Sequence, residues 1–255
     1  MTTVAALAIL ILIAAALYSS VGHAGASGYL AAMALFNLTP AVMRPTALAL
    51  NLLVGAIAAY KFYRAGRFDW SLFWPFALTS IPCSFIGGLI QLPGTYYRPI
   101  VGLVLLYAAY RLIRGTQFVS DAAIKAPPVW LALLCGAGLG LLSGLTGVGG
   151  GIFLSPLLLF MGWAEVKQTA GVSAMFILVN SLAGLLGQLS SVASLPKAIP
   201  VWAAAAVIGG WVGAEYGSRR LAGASLRRLL GVVLVIAGVK FLFPALQHIV
   251  SVARP

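Results

Sequence analysis

The sequence predicts an all-α polytopic membrane protein made of two inverted repeats, each with a Gly-rich break and a short re-entrant helix. Three observations lead there. Only 8% of the 255 residues are charged, 62% are hydrophobic, and the mean hydropathy is +1.04. A soluble domain carries about 25% charged residues, so this chain has too few charges to solvate a globular surface. No Asp, Glu, Lys or Arg occurs in residues 1–43, 70–97, 126–164 or 168–196, and a helix crosses a bilayer with roughly 20 apolar residues. Finally, the chain falls into two halves of similar layout on either side of the polar stretch Gly115 to Pro128.

These observations also exclude classes. Outer-membrane barrels need alternating apolar and polar residues, which the long apolar runs lack. The net charge of +12 suggests nucleic acid, but the basic residues sit in short connectors between apolar runs, where topology places them. Cys83 and Cys135 each lie inside an apolar run with no metal or redox spacing around them, so no cofactor is expected.

Taken in order, helix A covers 4–21. It resembles a signal peptide in its apolar run and in Ala14-Ala15-Ala16, but it has no basic leader and has a counterpart in the second half. A break at 22–28 leads to a short helix B (29–37), and then to C (45–63), D (72–91) and E (98–114). The second half repeats this as A′ (129–145), a break (146–151), B′ (152–162), C′ (169–189), D′ (199–217) and E′ (226–246). The domain division is therefore 1–114, a cytoplasmic linker 115–128, and 129–255. In register, Gly28-Tyr29-Leu30 lies over Gly151-Ile152-Phe153. B and B′ hold about ten residues, or about 15 Å of helix against a hydrocarbon core of about 30 Å, so neither spans alone. Half-helices that re-enter the membrane inside the protein fit that length.

Eleven of the 16 basic residues fall in one alternate set of connectors: Lys61, Arg64, Arg67, Arg111, Arg114, Lys125, Lys167, Arg219, Arg220, Arg227 and Arg228. That set is expected on the cytoplasmic side, which puts both termini outside and starts the two halves from opposite faces of the plasma membrane. Inverted repeats of this kind serve alternating access in secondary transporters.

The two breaks are the candidate site. The first contains Gly22, His23, Ala24, Gly25, Ala26, Ser27 and Gly28; the second contains Thr146, Gly147, Val148, Gly149, Gly150 and Gly151. Each glycine costs a helix about 1 kcal/mol relative to alanine, so the backbone is expected to leave helical geometry and expose N–H groups. A helix that begins straight after a break adds the positive end of its dipole, and a compact oxyanion suits such a place. The alternative is tight packing of small residues between membrane helices. A dinucleotide fingerprint fails, because Gly147-Val148-Gly149 would need glycine where Ile152 stands.

Helices C and C′ add Thr46, Asn51, Thr169, Ser173, Asn180, Ser181 and Gln188, polar groups that are costly in lipid and should face the bundle. Asn51, Ser173 and Asn180 join the candidate site, with structural hydrogen bonding as the alternative role. Arg44 offers a forked guanidinium to an oxyanion, or else anchors at the interface. His23 is a candidate proton shuttle, or a neutral hydrogen-bonded imidazole. Glu215 stands four residues from Arg219 and is expected to pair with it. No nucleophile–base pair, metal cluster or carboxylate pair can be assembled, so the chain is not read as an enzyme.

The run Gly144-Leu145-Thr146-Gly147-Val148-Gly149-Gly150-Gly151-Ile152-Phe153-Leu154-Ser155-Pro156, followed by Ala170-Gly171-Val172-Ser173, resembles the TauE/SafE family of sulfite and organosulfonate exporters. The similarity extends over nearly the whole chain, with a weaker echo in the first half, where His23-Ala24-Gly25-Ala26-Ser27-Gly28 replaces a denser glycine run. The resemblance implies a bacterial-type plasma-membrane carrier of small sulfur-containing anions. The expected partners are then the anion, the lipid bilayer and a coupling proton or cation. The other readings are a carrier for another small organic anion and a non-transporting membrane assembly subunit. A transporter is expected to enclose a hydrated cavity between B and B′, whereas an assembly subunit would fill both breaks with side chains.

Overall fold

The computed structural model describes residues 2–114, 124–188, 195–219, 235–236 and 238–243. Among these the chain is helical and contains no strand. Its helices are α1 (Thr2–Ser19), α2 (Ala26–Leu35), α3 (Pro40–Arg64), α4 (Trp70–Leu89), α5 (Gly94–Arg114), α6 (Val129–Thr146), α7 (Gly151–Phe160), α8 (Val166–Gly187) and α9 (Ile199–Arg219). Most of the linker, residues 115–123, and more than half of the expected E′ lie outside the described residues, as do the side chains of Arg111, Arg114 and Arg219 and the whole of Arg220, Arg227 and Arg228. Four helices, α3, α4, α6 and α8, are long and apolar enough to cross a membrane, and α1, α2 and α7 are shorter apolar helices.

Helix ends follow local chemistry. Gly22, Asn37, Gly66 and Gly162 all have positive φ and stand just past the ends of α1, α2, α3 and α7. After α1, His23 N bonds Tyr18 O at 2.9 Å and Gly22 N bonds Ser19 O at 3.2 Å, the paired closure in which a left-handed residue satisfies two last-turn carbonyls. The same pair recurs after α7, with Trp163 N to Leu158 O at 2.9 Å and Gly162 N to Leu159 O at 3.2 Å. C is longer than expected: α3 starts at Pro40, which suits the first position of a helix, and Pro45 lies inside it. Asp69 caps α4, accepting from Ser71 N at 2.8 Å and Leu72 N at 3.2 Å. Hydrogen bonding from Ser71 above all holds its carboxyl below the usual carboxylate range.

The bundle is held by close backbone contact across the two halves. On α9, a Cβ added at Gly209, Gly213 or Gly217 would lie 2.2, 2.0 and 2.0 Å from the carbonyl oxygens of Leu12 and Ala16 on α1 and of Ser20 just past its end. On α6, a Cβ at Gly136, Gly140 or Gly144 would lie 2.4, 2.2 and 2.1 Å from those of Phe76, Ser80 and Ser84 on α4. Glycines four residues apart form one stripe on a helix and let a neighbour approach to backbone contact, which is how membrane helices associate without a hydrophobic driving force. α4 also meets α8, where Gly88 and Gly187 do the same work against Gly184 O and Phe85 O at 2.4 and 2.3 Å. The pairings are reciprocal: α1 packs on α9, α6 on α4, and α3 on α8.

The segments around α2 and α7 share a backbone pattern, in a different register from the one expected. α2 and α7 are both ten residues long, with left-handed Gly25 and Gly150 as their N-caps. Left-handed Gly22 and Gly147 precede those caps by three positions, and left-handed Asn37 and Gly162 follow the two helices. Gly25 therefore corresponds to Gly150, two residues away from the register set by matching Gly28 with Gly151, because backbone sign rather than residue identity marks the equivalent places.

The stripes yield a paired test. Gly140→Ala should lower the thermal midpoint of the detergent-solubilised protein, at a cost of about 1–3 kcal/mol from overpacking against Ser80 O. Gly138→Ala on the same helix, with nothing within 4 Å of the new methyl, should leave the midpoint unchanged or raise it by helix propensity.

Candidate functional site

Both breaks are buried, and the structure joins them. α2 is buried along nearly its whole length, from Ala26 to Ala34, as expected of a helix that is apolar all round. Neither Gly25 nor Gly150 can cap a helix with a side chain, so the first-turn amides of α2 and α7 have no side-chain partner from their caps. His23 Nε2, from the first break, lies 3.0 Å from Gly151 O at the start of α7 and 2.9 Å from Ser155 Oγ. A carbonyl only accepts, so Nε2 carries a proton toward Gly151 O and shares it with Ser155 Oγ. Ser155 Oγ is in turn 2.7 Å from Ser173 Oγ on α8. A polar line thus runs from the first break through α7 into α8.

The second break is gripped from α3 and α8. Asn51 Nδ2 donates to Val148 O at 3.2 Å and to Ser181 Oγ at 3.3 Å. Gly149 has φ 84, and a Cβ on it would lie 2.8 Å from both Asn51 Nδ2 and Ile177 Cγ2; the turn therefore requires glycine both conformationally and sterically. A Cβ on Gly150 would lie 2.9 Å from the Phe176 ring, and one on Gly151 2.5 Å from the Ile177 side chain. Thr146 Oγ1 donates to Leu142 O at 2.6 Å, and its own carbonyl accepts from Tyr97 OH at 3.1 Å.

Arg44 is 6% exposed, so it is not extended to an interface as an anchor would be. Nε donates to Gly144 O at 2.9 Å, Nη1 to Ile90 O at 2.7 Å, and Nη2 to Gly88 O at 3.1 Å and Gly144 O at 2.5 Å, with Gly87 O also accepting from Nη2. These carbonyls belong to the C-terminal ends of α4 and α6, where a cation meets the negative end of two helix dipoles.

Of the sequence-derived candidates, the structure brings together His23, Gly151 and Ser173, and separately Asn51 and Gly149. Asn180 is turned toward α4, donating to Ser80 Oγ at 3.0 Å and Phe176 O at 2.8 Å, while Ser84 Oγ donates to its carbonyl at 2.8 Å. In α2, Gly28 packs on Ala14 and Tyr18 of α1, Ser27 is buried, and Gly25 faces the Tyr29 ring, whose hydroxyl donates to Ala24 O. Sequence reasoning missed Ser155 and Tyr97 as site residues, and named Ser181 as an inward-facing polar group without joining it to the site. Ser155 stands one turn after Gly151 and Ser181 two turns after Ser173, so helical spacing carried those two signals; Tyr97 had none. Glu215 has Lys61 of α3 as a partner at 2.5 Å, and that ammonium also lies 3.9 Å from the Trp211 ring centroid.

The break residues are packed against side chains. A cleft of about 540 Å³ opens among the described residues beside Tyr107, Cys135 and Phe153, and one of about 550 Å³ beside Asn37, Arg98 and Lys240. Among the described residues no group of three or more His, Cys, Asp or Glu side chains is placed to hold a metal ion.

The guanidinium geometry makes Arg44 a stability determinant. Arg44→Met strands four carbonyls at two helix ends and should cost about 3 kcal/mol or more, read as a thermal midpoint lower by about 6 °C or more. Arg44→Lys should recover only part of the loss, since a point charge cannot span the same carbonyls.

Comparison with known proteins completes the assignment. Residues 7–241 match the family model described as sulfite exporter TauE/SafE. The chain is 43% identical over 240 residues to a "probable membrane transporter protein" of Sinorhizobium fredii, covering 93% of this chain and 97% of that protein. It is 26% identical over 140 residues to a "probable membrane transporter protein" of Methanocaldococcus jannaschii, covering 53% of this chain and 51% of that one. No solved structure matches it. The expected glycine run, the apolar helices and the whole-chain match agree: the chain belongs to the TauE/SafE family of multi-pass membrane transporters.

Proposed function

We propose that this transporter exports a small sulfur-containing oxyanion, sulfite or an organosulfonate, across the plasma membrane. The observation that carries the reading is the convergence of the two breaks: His23 of one bonds the first carbonyl of α7 beyond the other, and both adjoining helices begin without a side-chain cap. Uncapped amides at a helix N-terminus bind compact oxyanions, and the family description supplies the sulfur chemistry. In this reading His23, Asn51, Gly149, Gly150, Gly151 and Ser173 meet the substrate. Gly25, Ser27 and Gly28 shape the first break, and Arg44, Thr146 and Asn180 hold the helices that present the second.

The proposed architecture is two inverted repeats, 1–114 and 129–255, with α2 and α7 re-entering the membrane. Reciprocal pairing of α1 with α9 and α6 with α4 supports it, as do the equal lengths of α2 and α7 and the matched left-handed residues around them. In this reading the breaks are in a collapsed conformer, filled by side chains instead of enclosing the hydrated cavity expected between B and B′. The cavity opens in another state of an alternating-access cycle. An inside-negative membrane potential expels a monoanion with about 2.3 kcal/mol per 100 mV, so efflux needs no coupling ion.

Purified protein in liposomes should move sulfite, sulfoacetate, taurine or thiosulfate in counterflow under an imposed potential. Movement of none of them, with another organic anion carried instead, would replace the substrate class. His23→Ala should lower flux about tenfold or more and change its pH profile, because His23 is the titratable group joining the breaks. An unaltered rate and profile would remove His23 from the mechanism.

A further inference from the structure

We propose that Asn51 is a specificity-determining residue whose carboxamide oxygen selects an oxyanion that also carries an O–H or N–H donor. This rests on the oxyanion reading above and narrows it to monoanions that keep such a donor, such as a protonated inorganic oxyanion or a hydroxy- or aminosulfonate.

Asn51 is 0% exposed. Its orientation is set by Val148 O, 3.2 Å away, because a carbonyl accepts only and must face the amide nitrogen. Nδ2 also donates to Ser181 Oγ at 3.3 Å, which leaves the Ser181 proton available to another acceptor. The opposite end of the amide, Oδ1, is buried and has no donor among the described residues. A buried acceptor left in that condition bears an uncompensated desolvation cost, which a donor on the substrate removes.

The surroundings define the rest of the ligand. Gly149 lies against this amide, and a Cβ there would come within 2.8 Å of Nδ2 and 3.0 Å of Ser181 Oγ, so glycine keeps the main chain at the amide. Arg44 holds Gly144 O at the end of α6, just before the break, and its hydrogen-bond partners are carbonyls, none of them a carboxylate. A fixed positive charge and an uncapped helix N-terminus favour an anion. One orphan acceptor beside them favours a donor on that anion, since a donor-free anion would set its own lone pairs against Oδ1.

The test is proteoliposome counterflow with two sulfonates of equal charge that differ by one hydroxyl, 2-hydroxyethanesulfonate and ethanesulfonate. The wild type should favour the hydroxylated substrate about tenfold or more in kcat/KM, and Asn51→Leu should bring the ratio to about one. Asn51→Ala, which cannot overpack, gives the same readout if the leucine variant fails to fold. A wild-type ratio near one overturns the inference while the oxyanion reading stands. A tenfold ratio that survives in either variant overturns it as well, by placing selection elsewhere. Movement of neither sulfonate overturns the inference, and the oxyanion reading falls with it only if sulfite and thiosulfate are not moved either.

Discussion

A helix that stops inside an apolar bundle strands carbonyls and amides where bulk water does not reach them, and each stranded group costs free energy comparable to a lost hydrogen bond. This protein stops two helices in that way, and much of its polar inventory is committed to the consequence. Gly22 folds the end of α1 onto its own carbonyls. Arg44 serves the ends of α4 and α6, Tyr97 takes Thr146 O, Asn51 takes Val148 O and His23 takes Gly151 O. Each of these side chains comes from an element other than the one whose backbone it satisfies. The breaks are therefore tertiary objects that exist only when the bundle is assembled.

Assembly depends in turn on backbone proximity. The stripes on α6 and α9 place helix carbonyls at distances that no Cβ would tolerate, and association in lipid relies on such packing. The stripe changes partner type between the halves: in one pair it sits on the first helix of a half, α6, and in the other on the fourth, α9. Similar pairings are thus reached with different residues. Close approach needs only that one partner of each helix pair supplies the small side chains.

The legible part of the site was its glycine. Paired Gly-rich runs after apolar helices located both breaks to within a few residues, and the shortness of α2 and α7 followed from the distance to the next connector. Register was misread by two because Gly28 and Gly151 match in identity, whereas the positive-φ residues Gly25 and Gly150 match in role. Asn51 and Asn180 were legible as residues that must face inward, since polarity in lipid forces that choice, whereas the sequence left Arg44 between an oxyanion ligand and an interfacial anchor. Their partners were not legible, because Val148, Phe176, Gly87 and Gly144 offer carbonyls that every residue possesses. Glu215 adds a related case: a helical spacing of four suggested Arg219, whose side chain lies outside the described residues, and the cross-helix partner Lys61 left no signal in the spacing.

Composition and periodic absence of charge were enough, by themselves, to determine a membrane-spanning all-helical chain with two interrupted segments, since the cost of burying charge in hydrocarbon acts residue by residue. The order of a glycine-rich run and its flanking helix was enough to suggest the family. Only the tertiary structure decided which helices touch, that His23 reaches across to α7, and that Arg44 closes two helix ends. Those outcomes depend on backbone groups and on separations in space that are the same for every residue type, and so leave no mark in the order of side chains.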